Sequence, residues 1–383
     1  MEILKNVGGK MLRCGYTTGS CATAATKAAL AMLLSGDRIS EVLIHTPAGI
    51  DVTAEILNTT IKPGSVKCAV RKDSGDDPDA TRDMLVYSEV SLCNKGVHIK
   101  GGEGIGKVTK PGLDQPVGEY AINSTPRQMI NQVVQEVSEK FHYTGGVTVE
   151  LSIPGGEMVA LKTFNPRMGI VGGLSVIGTS GIVEPMSNKA LEGTVAALIK
   201  QLAAKGCKSI LLTPGNYGKD FASEDLGLDM SYNINCSNFI GESLDTCVEQ
   251  GFDQILIVGH IGKMVKLGIG STNTHSTMGD GRIECLIRCA LQGGASLDTL
   301  KRIDQVTTTD GALEILREEG LCNKTMDILG EKIMETLRRR VPENVEIGYI
   351  CFTKAEGYRG ILCRSENAFS LIPYRTPGKT EYE

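Results

Sequence analysis

The chain has 383 residues, of which 41% are hydrophobic, and its formal net charge is −5 at pH 7. This length suits two domains that each bury a core, and this apolar content excludes a disordered chain. The negative charge argues against a nucleic-acid-binding protein, and no run approaches the roughly 20 apolar residues of a membrane span.

The first half of the chain has the pattern of a domain in which helices and strands are segregated. Two helices are predicted, at 19–35 and 126–141, and the second begins at the cap Ser124-Thr125-Pro126. Strands are predicted at 41–46, 50–56, 66–71, 85–93, 97–100, 147–153 and 158–163. This order is typical of an α+β fold, so we expect an α+β domain over residues 1–165.

The second half alternates between short apolar strands and helices. Strands are predicted at 174–177, 209–212, 254–258, 345–352 and 360–364. Helices are predicted at 188–205 and 239–250, and again through most of 280–340. Such alternation favours an α/β domain with a Rossmann-like, mostly parallel sheet, which we expect over residues 166–383. The polar tail from residue 373 is expected to fray.

The twelve cysteines are scattered and contain no C-x-x-C pair. The first residues also lack the basic start and apolar core of a signal peptide. We therefore expect buried, reduced thiols in a cytoplasmic protein rather than disulfides or a cysteine metal site.

Three of the predicted apolar strands in the second half end in a segment that contains glycine, at 178–181, 213–218 and 259–263. In open α/β sheets the ligand lies outside the carboxyl ends of the strands. We predict that the three segments converge on one sheet edge and bind a nucleoside-bearing cofactor; the alternative is that each glycine only serves the geometry of a short turn. The candidate cofactor-binding residues are Gly178, Thr179, Ser180, Gly181, Thr213, Gly215, Asn216, Gly218 and Gly259.

The turn Thr17-Thr18-Gly19-Ser20 leads directly into an alanine-rich helix. Hydroxyl side chains there cap free N–H groups, glycine allows close approach, and the positive end of the helix favours an anion. We predict that Thr17, Thr18, Gly19 and Ser20 bind a substrate carboxylate. The alternative is a well-capped helix whose small residues pack closely against a sheet.

Residues 101–107 nearly match a phosphate-binding loop, G-x-x-x-x-G-K, but Val108 stands where Ser or Thr would hold magnesium. The residues that follow cannot start a helix, so the kinase or ATPase interpretation fails. We predict instead a substrate-binding loop that carries Lys100, Lys107 and Lys110. The alternative is a flexible hairpin with solvated lysines.

Five aspartates between residues 73 and 83 could hold a divalent cation, but their spacing is not that of an EF-hand. A solvated turn is the commoner structure for such a run, and we predict no metal site. Of the five histidines, His260 and His275 lie at the ends of predicted loops, and we predict that they serve acid–base chemistry.

Six blocks of the sequence, in order from residue 12 to beyond residue 260, resemble the CbiD family of cobalt-precorrin-5B C1-methyltransferases. The blocks are 12–29, 72–81, 101–113, 162–170, 178–187 and 259–263. The resemblance implies methyl transfer from S-adenosylmethionine to C-1 of cobalt-precorrin-5B, giving cobalt-precorrin-6A in anaerobic cobalamin synthesis. The usual methyltransferase signature E/D-x-G-x-G-x-G is absent from the sequence, so this function depends on the resemblance.

The implied substrate is a cobalt-containing tetrapyrrole that carries many carboxylates, so lysines and arginines are expected around it. The candidates are Lys100, Lys107, Lys110, Arg167, Lys263 and Arg282. Cobalt arrives inside the substrate, and the resemblance implies no protein metal site. Transient contact with other cobalamin-pathway enzymes and assembly into a homo-oligomer stay open. Two other functions also stay open: an NAD-dependent oxidoreductase that uses the α/β half, and a non-catalytic corrinoid carrier.

Overall fold

The computed structural model describes residues 3–355 and 358–373. The chain divides into a first unit, Met1–Asn188, and a second unit, Lys189–Glu383. This division falls later than the boundary expected at 165/166, because the segment after residue 166 bonds within the first unit. The N–H of Val176, for example, donates to the carbonyl of Ala121. Most of the tail that was expected to fray lies outside the described residues.

The first unit combines many short strands with two long helices. Its strands are β1 (Leu4–Val7), β2 (Lys10–Arg13), β3 (Gly15–Tyr16), β4 (Glu41–His45), β5 (Asp51–Glu55), β6 (Leu57–Lys62), β7 (Ser65–Arg71), β8 (Leu85–Cys93), β9 (Val97–Gly101), β10 (Lys107–Val108), β11 (Gly146–Ser152), β12 (Ile170–Val171) and β13 (Ile182–Val183). Its helices are α1 (Thr18–Ser35), α2 (Ser124–Lys140), α3 (Gly156–Ala160) and α4 (Asn165–Met168).

A five-stranded sheet with the order β6-β7-β8-β11-β9 forms the centre of the first unit. Its pairs are antiparallel except for β9, which runs parallel to β11. Helix α1 packs against β7 and β8, and α2 packs against α1. Alanines make this close packing feasible, since Ala22, Ala25 and Ala29 have no exposed surface. The hydroxyl groups of Thr26 on α1 and Ser88 on β8 are hydrogen-bonded at 2.8 Å inside this interface.

Two strands expected in this part of the chain are not formed. Residues 158–163 were expected to be a strand, but Gly156–Ala160 is helix α3, and residues 161–164 form the turn between α3 and α4. Residues 174–177 were expected to belong to the parallel sheet. They pair only through isolated bridges, Leu174 with Ile105 and Val176 with Ile122, within the first unit.

The second unit is built around alternating strands and helices. Its strands are β14 (Ser209–Thr213), β15 (Asn233–Asn235), β16 (Gln254–His260), β17 (Glu346–Thr353) and β18 (Gly360–Arg364). Its helices are α5 (Asn188–Ala204), α6 (Asn216–Asp220), α7 (Ile240–Glu249), α8 (Ile261–Leu267), α9 (Arg282–Gln292), α10 (Leu297–Asp304), α11 (Thr309–Glu318) and α12 (Cys322–Arg338).

The sheet of the second unit has the order β15-β14-β16-β17-β18, and only β18 is antiparallel to its neighbour. The expected mostly parallel sheet is therefore confirmed. Along β16, Ile255 and Ile257 face a core with most of the helices, whereas Leu256 and Val258 face a smaller core on the other side. Both faces are covered, which explains why this strand is apolar throughout.

The strand order of this sheet reverses between β14 and β16. From β14 the chain moves outward to β15 and then returns to place β16 on the other side of β14. Such a reversal is the switch point at which open α/β sheets bind ligands, outside the carboxyl ends of the strands. Within the described part of the chain, no helix is long and apolar enough to span a bilayer.

Candidate functional site

Two of the three predicted glycine segments meet at the switch point. Strand β14 ends at Thr213 and β16 ends at His260, and a short helix follows each of them almost at once. A Cβ atom added to Gly259 would lie 2.9 Å from Cγ of Pro214, and one added to Gly215 would lie 3.2 Å from Nζ of Lys263. The convergence of 213–218 with 259–263 at this sheet edge is therefore confirmed.

Gly215 has a backbone conformation that side-chain-bearing residues rarely adopt. Its φ is +92° and its ψ is 176°, a region that is essentially restricted to glycine. Its N–H donates to Oδ1 of Asn235 at the end of β15 (3.3 Å), and Nδ2 of Asn235 donates to Oδ1 of Asn216 (3.2 Å). Asn235 thus ties the glycine turn to the neighbouring strand.

The other predicted residues of this edge divide into internal and outward positions. Thr213 is buried, and its hydroxyl accepts a hydrogen bond from Nδ2 of Asn233 at 2.9 Å. Gly218 packs directly against the carbonyl of Val258. Asn216 is exposed beside the turn. Asn216 and Gly215 therefore face solvent at the edge, whereas Thr213 and Gly218 position them.

His260 caps helix α8 and is half-buried. Its Nδ1 accepts a hydrogen bond from the N–H of Gly262 at 3.1 Å, which assigns the proton of the neutral ring to Nε2. Burial lowers the pKa of His260, the charge of Asp310 opposes this shift, and Lys354 adds to it. The ring is therefore neutral at pH 7, and in this tautomer Nε2 is a hydrogen-bond donor rather than a base.

The two predicted acid–base histidines do not form a pair. His275 lies near the C-terminal end of α8, where its carbonyl accepts a hydrogen bond from Nζ of the buried Lys266 at 3.5 Å. His260 lies at the other end of this seven-residue helix, about 10 Å away along its axis. Arg282, at the start of α9, is ion-paired with Asp280 and has no described contact with the sheet edge.

Lys263 and Cys236 lie together at the same edge. Nζ of Lys263 donates to the carbonyl of Ser237 at 3.1 Å, and burial lowers the pKa of this lysine. Burial raises the pKa of Cys236 to about 12, against the opposing charge of Lys263. The thiol is therefore neutral at physiological pH, which excludes a cysteine thiolate nucleophile at this position.

The third predicted glycine segment, residues 178–181, does not follow a strand of the second unit's sheet. It belongs to the first unit, where β13 pairs with β3 and Gly178 packs directly against Thr17. The expectation that this segment follows a strand of the parallel sheet is wrong, because the apolar run before it pairs within the first unit. A role of Gly178, Thr179, Ser180 and Gly181 in cofactor binding stays a prediction. Thr179 lines a polar cavity of about 410 Å³ in the first unit.

The groups of the opening turn already have partners within the protein. Thr17 caps α1 by accepting from the N–H of Ser20 at 3.2 Å, and Ser20 Oγ donates to the carbonyl of Gly181 at 2.7 Å. Thr18 Oγ1 accepts from the N–H of Ile177 at 3.0 Å, and the N–H of Gly19 donates to the carbonyl of the same residue at 2.9 Å. Carboxylate binding at this turn stays a prediction, and these bonds favour its alternative, a structural cap.

The structure brings several of the predicted cations of the first unit to one surface. Lys107 pairs with Val171 across β10 and β12, and its ammonium group lies 4.9 Å from the ring centroid of Tyr120. Lys110 Nζ donates to the carbonyl of Arg167 at 3.3 Å, and the Arg167 guanidinium lies 5.9 Å from the ring centroid of Phe164. Lys100 is set apart by its ion pair with Glu150 at 2.7 Å.

Large apolar side chains are exposed on the same surface. Phe164 is 46% exposed and Val171 is 58% exposed. Among the described residues, Lys107, Lys110 and Arg167 have no carboxylate partner within ion-pair distance. We call these five residues the basic–apolar surface. It combines free positive charge with exposed hydrocarbon, an arrangement suited to an apolar molecule with acidic substituents.

The acidic turn is an internal ion-pair network. Hydrogen bonds from Arg13 hold the pKa of Asp73 below its usual range. Burial opposes ionisation of Asp79, but hydrogen bonds from the buried Lys72 and from Thr81 lower its pKa overall. Over residues 3–355 and 358–373, no group of three or more His, Cys, Asp and Glu side chains is arranged to hold a metal ion.

Sequence reasoning missed Asn235 and Glu242 in the second unit. Asn235 ends β15, which has a single buried apolar residue, Ile234, and so lacks a readable strand pattern. Glu242 lies in the first turn of α7, where an acidic residue is common, and its Oε2 atom is buried without a hydrogen-bond partner among the described residues. The only available sequence signals were the asparagines that flank Ile234 and the acid at the helix start.

The second unit is thus an open α/β unit whose strand order reverses between β14 and β16. The family model CbiD matches residues 5–185, and the model "CbiD, C-terminal domain" matches residues 273–363. The chain belongs to the CbiD family.

Curated relatives match over almost the whole chain, and those described here carry the name cobalt-precorrin-5B C(1)-methyltransferase. The protein from Ruminiclostridium cellulolyticum is 46% identical, covering 92% of this chain and 91% of its own. The protein from Thermoanaerobacter sp. is 43% identical, covering 95% of this chain and 98% of its own. The protein from Clostridioides difficile is 36% identical, covering 97% of this chain and 99% of its own. A crystal structure of a cobalamin biosynthesis protein (cbiD) from Archaeoglobus fulgidus is 29% identical, covers 72% of this chain and 86% of its own, and has a TM-score of 0.38.

Proposed function

We propose that this chain is the methyltransferase that transfers a methyl group from S-adenosylmethionine to C-1 of cobalt-precorrin-5B, giving cobalt-precorrin-6A in cobalamin biosynthesis. The observation that carries the proposal is the 36–46% identity, over nearly the full chain, to relatives named for this reaction. These names favour a methyltransferase over an NAD-dependent oxidoreductase or a non-catalytic corrinoid carrier. The twelve free cysteines also support a reducing, cytoplasmic location.

We propose that the carboxyl edge of the second unit's sheet binds the methyl donor. S-adenosylmethionine supplies an activated methyl group on a sulfonium when it is bound. The residues at this edge fit such a ligand, since Gly215 carries no side chain and allows close approach to its backbone. Asn216 and Asn235 add amide groups for polar contacts, and Nε2 of His260 adds a donor. His260 therefore serves to hold an acceptor atom rather than to remove a proton.

We propose that the basic–apolar surface of the first unit binds the tetrapyrrole. The macrocycle offers broad apolar faces, which suit contact with Phe164 and Val171, and its acidic side chains suit Lys107, Lys110 and Arg167. Charged contacts of this kind steer and orient an anionic substrate more than they add affinity. Two other predicted cations fit this role less well, because Lys263 lies at the donor edge and Arg282 is paired with Asp280.

The donor site is tested by calorimetric titration of the full chain with S-adenosylhomocysteine, NAD(H) and a cobalt-corrinoid. Gly215→Val should abolish S-adenosylhomocysteine binding, because the side chain blocks approach to the backbone, crowds Nζ of Lys263 and strains the turn. Gly251→Val is the matched control: Gly251 also has a positive φ, +71°, but it precedes β16 at the opposite edge of the sheet. Its strain should lower stability without changing affinity.

Two results would overturn these proposals. If the Gly215 variant binds S-adenosylhomocysteine as tightly as the unchanged chain does, the donor is not at this edge. If the chain binds NAD(H), or binds corrinoid without any methyl transfer from S-adenosylmethionine, one of the alternative functions is correct.

A further inference from the structure

A cavity of about 190 Å³ lies in the second unit between the N-terminal halves of α5 and α7. Its walls are mainly apolar, with Val195 and Phe239 among them. Three charged side chains also line it, namely Lys189 and Glu192 from α5 and Glu242 from α7. This combination belongs neither to the sheet edge nor to the motifs of the sequence.

Glu242 is the unusual member of this group. Its Oε2 atom is buried, and no hydrogen-bond donor contacts it in the part of the chain that the structure describes. A buried carboxylate oxygen without a partner is costly, because the solvation lost on burial is not replaced. Such an oxygen is typical of a site whose partner arrives with a ligand. Lys189 lines the same cavity but forms no ion pair with Glu242.

The cavity lies at the same end of the sheet as the edge that we propose binds the donor. Helix α5 runs into β14, so its N-terminal half lies toward the carboxyl end of that strand, and α7 starts shortly after β15 ends. Asn235, the last residue of β15, contacts Gly215 directly, and the short segment 236–239 connects it to α7. Chain connectivity therefore places the start of α7, with Glu242 in its first turn, next to the strand end that contacts Gly215.

We propose that Glu242 binds the α-ammonium group of S-adenosylmethionine and that this cavity takes the amino-acid end of the donor. This inference rests on the proposed function of the sheet edge. A primary ammonium group has three hydrogen-bond donors and a positive charge, so it can donate a hydrogen bond to Oε2. The sulfonium is also positively charged, but it has no hydrogen-bond donor and cannot do so. Lys189 on the opposite helix supplies the positive charge that the carboxylate of the same amino-acid group requires.

The test compares two ligands that differ in the amino-acid end. S-adenosylhomocysteine carries the ammonium group but no sulfonium, whereas 5′-methylthioadenosine lacks the whole amino-acid end. Titration calorimetry on the full chain should show that Glu242→Gln weakens S-adenosylhomocysteine binding at least about tenfold, as loss of a charge-assisted hydrogen bond predicts, and leaves 5′-methylthioadenosine binding unchanged. Glu249→Gln, an exposed acid on the same helix, should change neither affinity.

Glu242→Asp is the second variant, because it keeps the charge but withdraws it by one methylene. It should weaken S-adenosylhomocysteine binding and again spare 5′-methylthioadenosine. The inference is overturned if Glu242→Gln binds S-adenosylhomocysteine normally, or if both ligands lose affinity equally. If the unchanged chain binds neither ligand, the proposed donor site fails and this inference fails with it. If the unchanged chain binds both ligands and Glu242→Gln has no effect on either affinity, the role of Glu242 is refuted but the proposed donor site is not.

Discussion

Replacing Thr17 and Thr18 together by valine separates a structural role of the opening turn from a role in substrate binding. Valine keeps the shape of threonine but removes the hydroxyl group. The Thr17 hydroxyl caps α1 through the N–H of Ser20, and the Thr18 hydroxyl accepts the N–H of Ile177. Both threonines are buried, so water cannot easily replace either hydroxyl.

The contacts set the size of the expected effect. Loss of an N-cap costs about 0.5–2 kcal/mol, and an N–H group left without its acceptor costs about 1–3 kcal/mol. Together the double variant should lose roughly 1.5–5 kcal/mol, if the two neighbouring losses add. For a unit of this size, each kcal/mol lowers the melting temperature by about 2–4 °C, so a fall of about 3–20 °C is expected.

The assay is scanning calorimetry of the double variant, together with methyl transfer measured per folded molecule. The control is Thr53→Val with Thr60→Val, which removes two exposed strand hydroxyls from the same unit and should barely change the melting temperature. We expect the opening-turn variant to lose stability and to keep its turnover per folded molecule. An unchanged melting temperature would refute the reasoning from these hydrogen bonds. A collapse of turnover with little loss of stability would instead support a carboxylate site at the turn.

Two further predictions concern the first unit. Lys107→Gln combined with Lys110→Gln should weaken cobalt-corrinoid binding and reduce the salt dependence of that binding, as measured by titration at two ionic strengths. The affinity for S-adenosylhomocysteine should not change. Binding of ATP through this loop would contradict the assignment. The folded-state pKa of Asp79 is depressed, so its contribution to stability is present above its unfolded pKa of about 3.9 and is lost as pH falls through the folded value. Asp79→Asn should therefore lower the free energy of unfolding at pH 7, because it leaves the buried Lys72 without its anion. It should also make the free energy of unfolding fall less steeply between pH 7 and pH 3, as measured by denaturant unfolding.

The sequence by itself determined the elements with strong local patterns. Strand β8 was expected at residues 85–93 and spans Leu85–Cys93. Its residues alternate between buried and partly exposed positions over most of its length, and the sequence shows this alternation directly. Helix α1 was expected at 19–35 and spans Thr18–Ser35, since Thr17 caps it and Gly36 ends it in the left-handed conformation. The glycine turns after β14 and β16 were also readable, because chain order alone places the carboxyl ends of parallel strands at one edge.

Only the tertiary structure decided where the ambiguous segments belong. Residues 174–177 form an apolar run that resembles a strand of the parallel sheet, yet Leu174 and Val176 pair with Ile105 and Ile122 in the first unit. The same segment takes up the hydroxyl of Thr18, which the sequence offered for a substrate, whereas the hydroxyl of Thr17 caps α1 locally. Glu242 lines a cavity together with residues of α5, and its Oε2 atom is buried there without a partner among the described residues. Local patterns specify helix and strand, but the partners of a buried polar group come from residues far away in the chain, and those partners determine which groups remain free to bind a ligand.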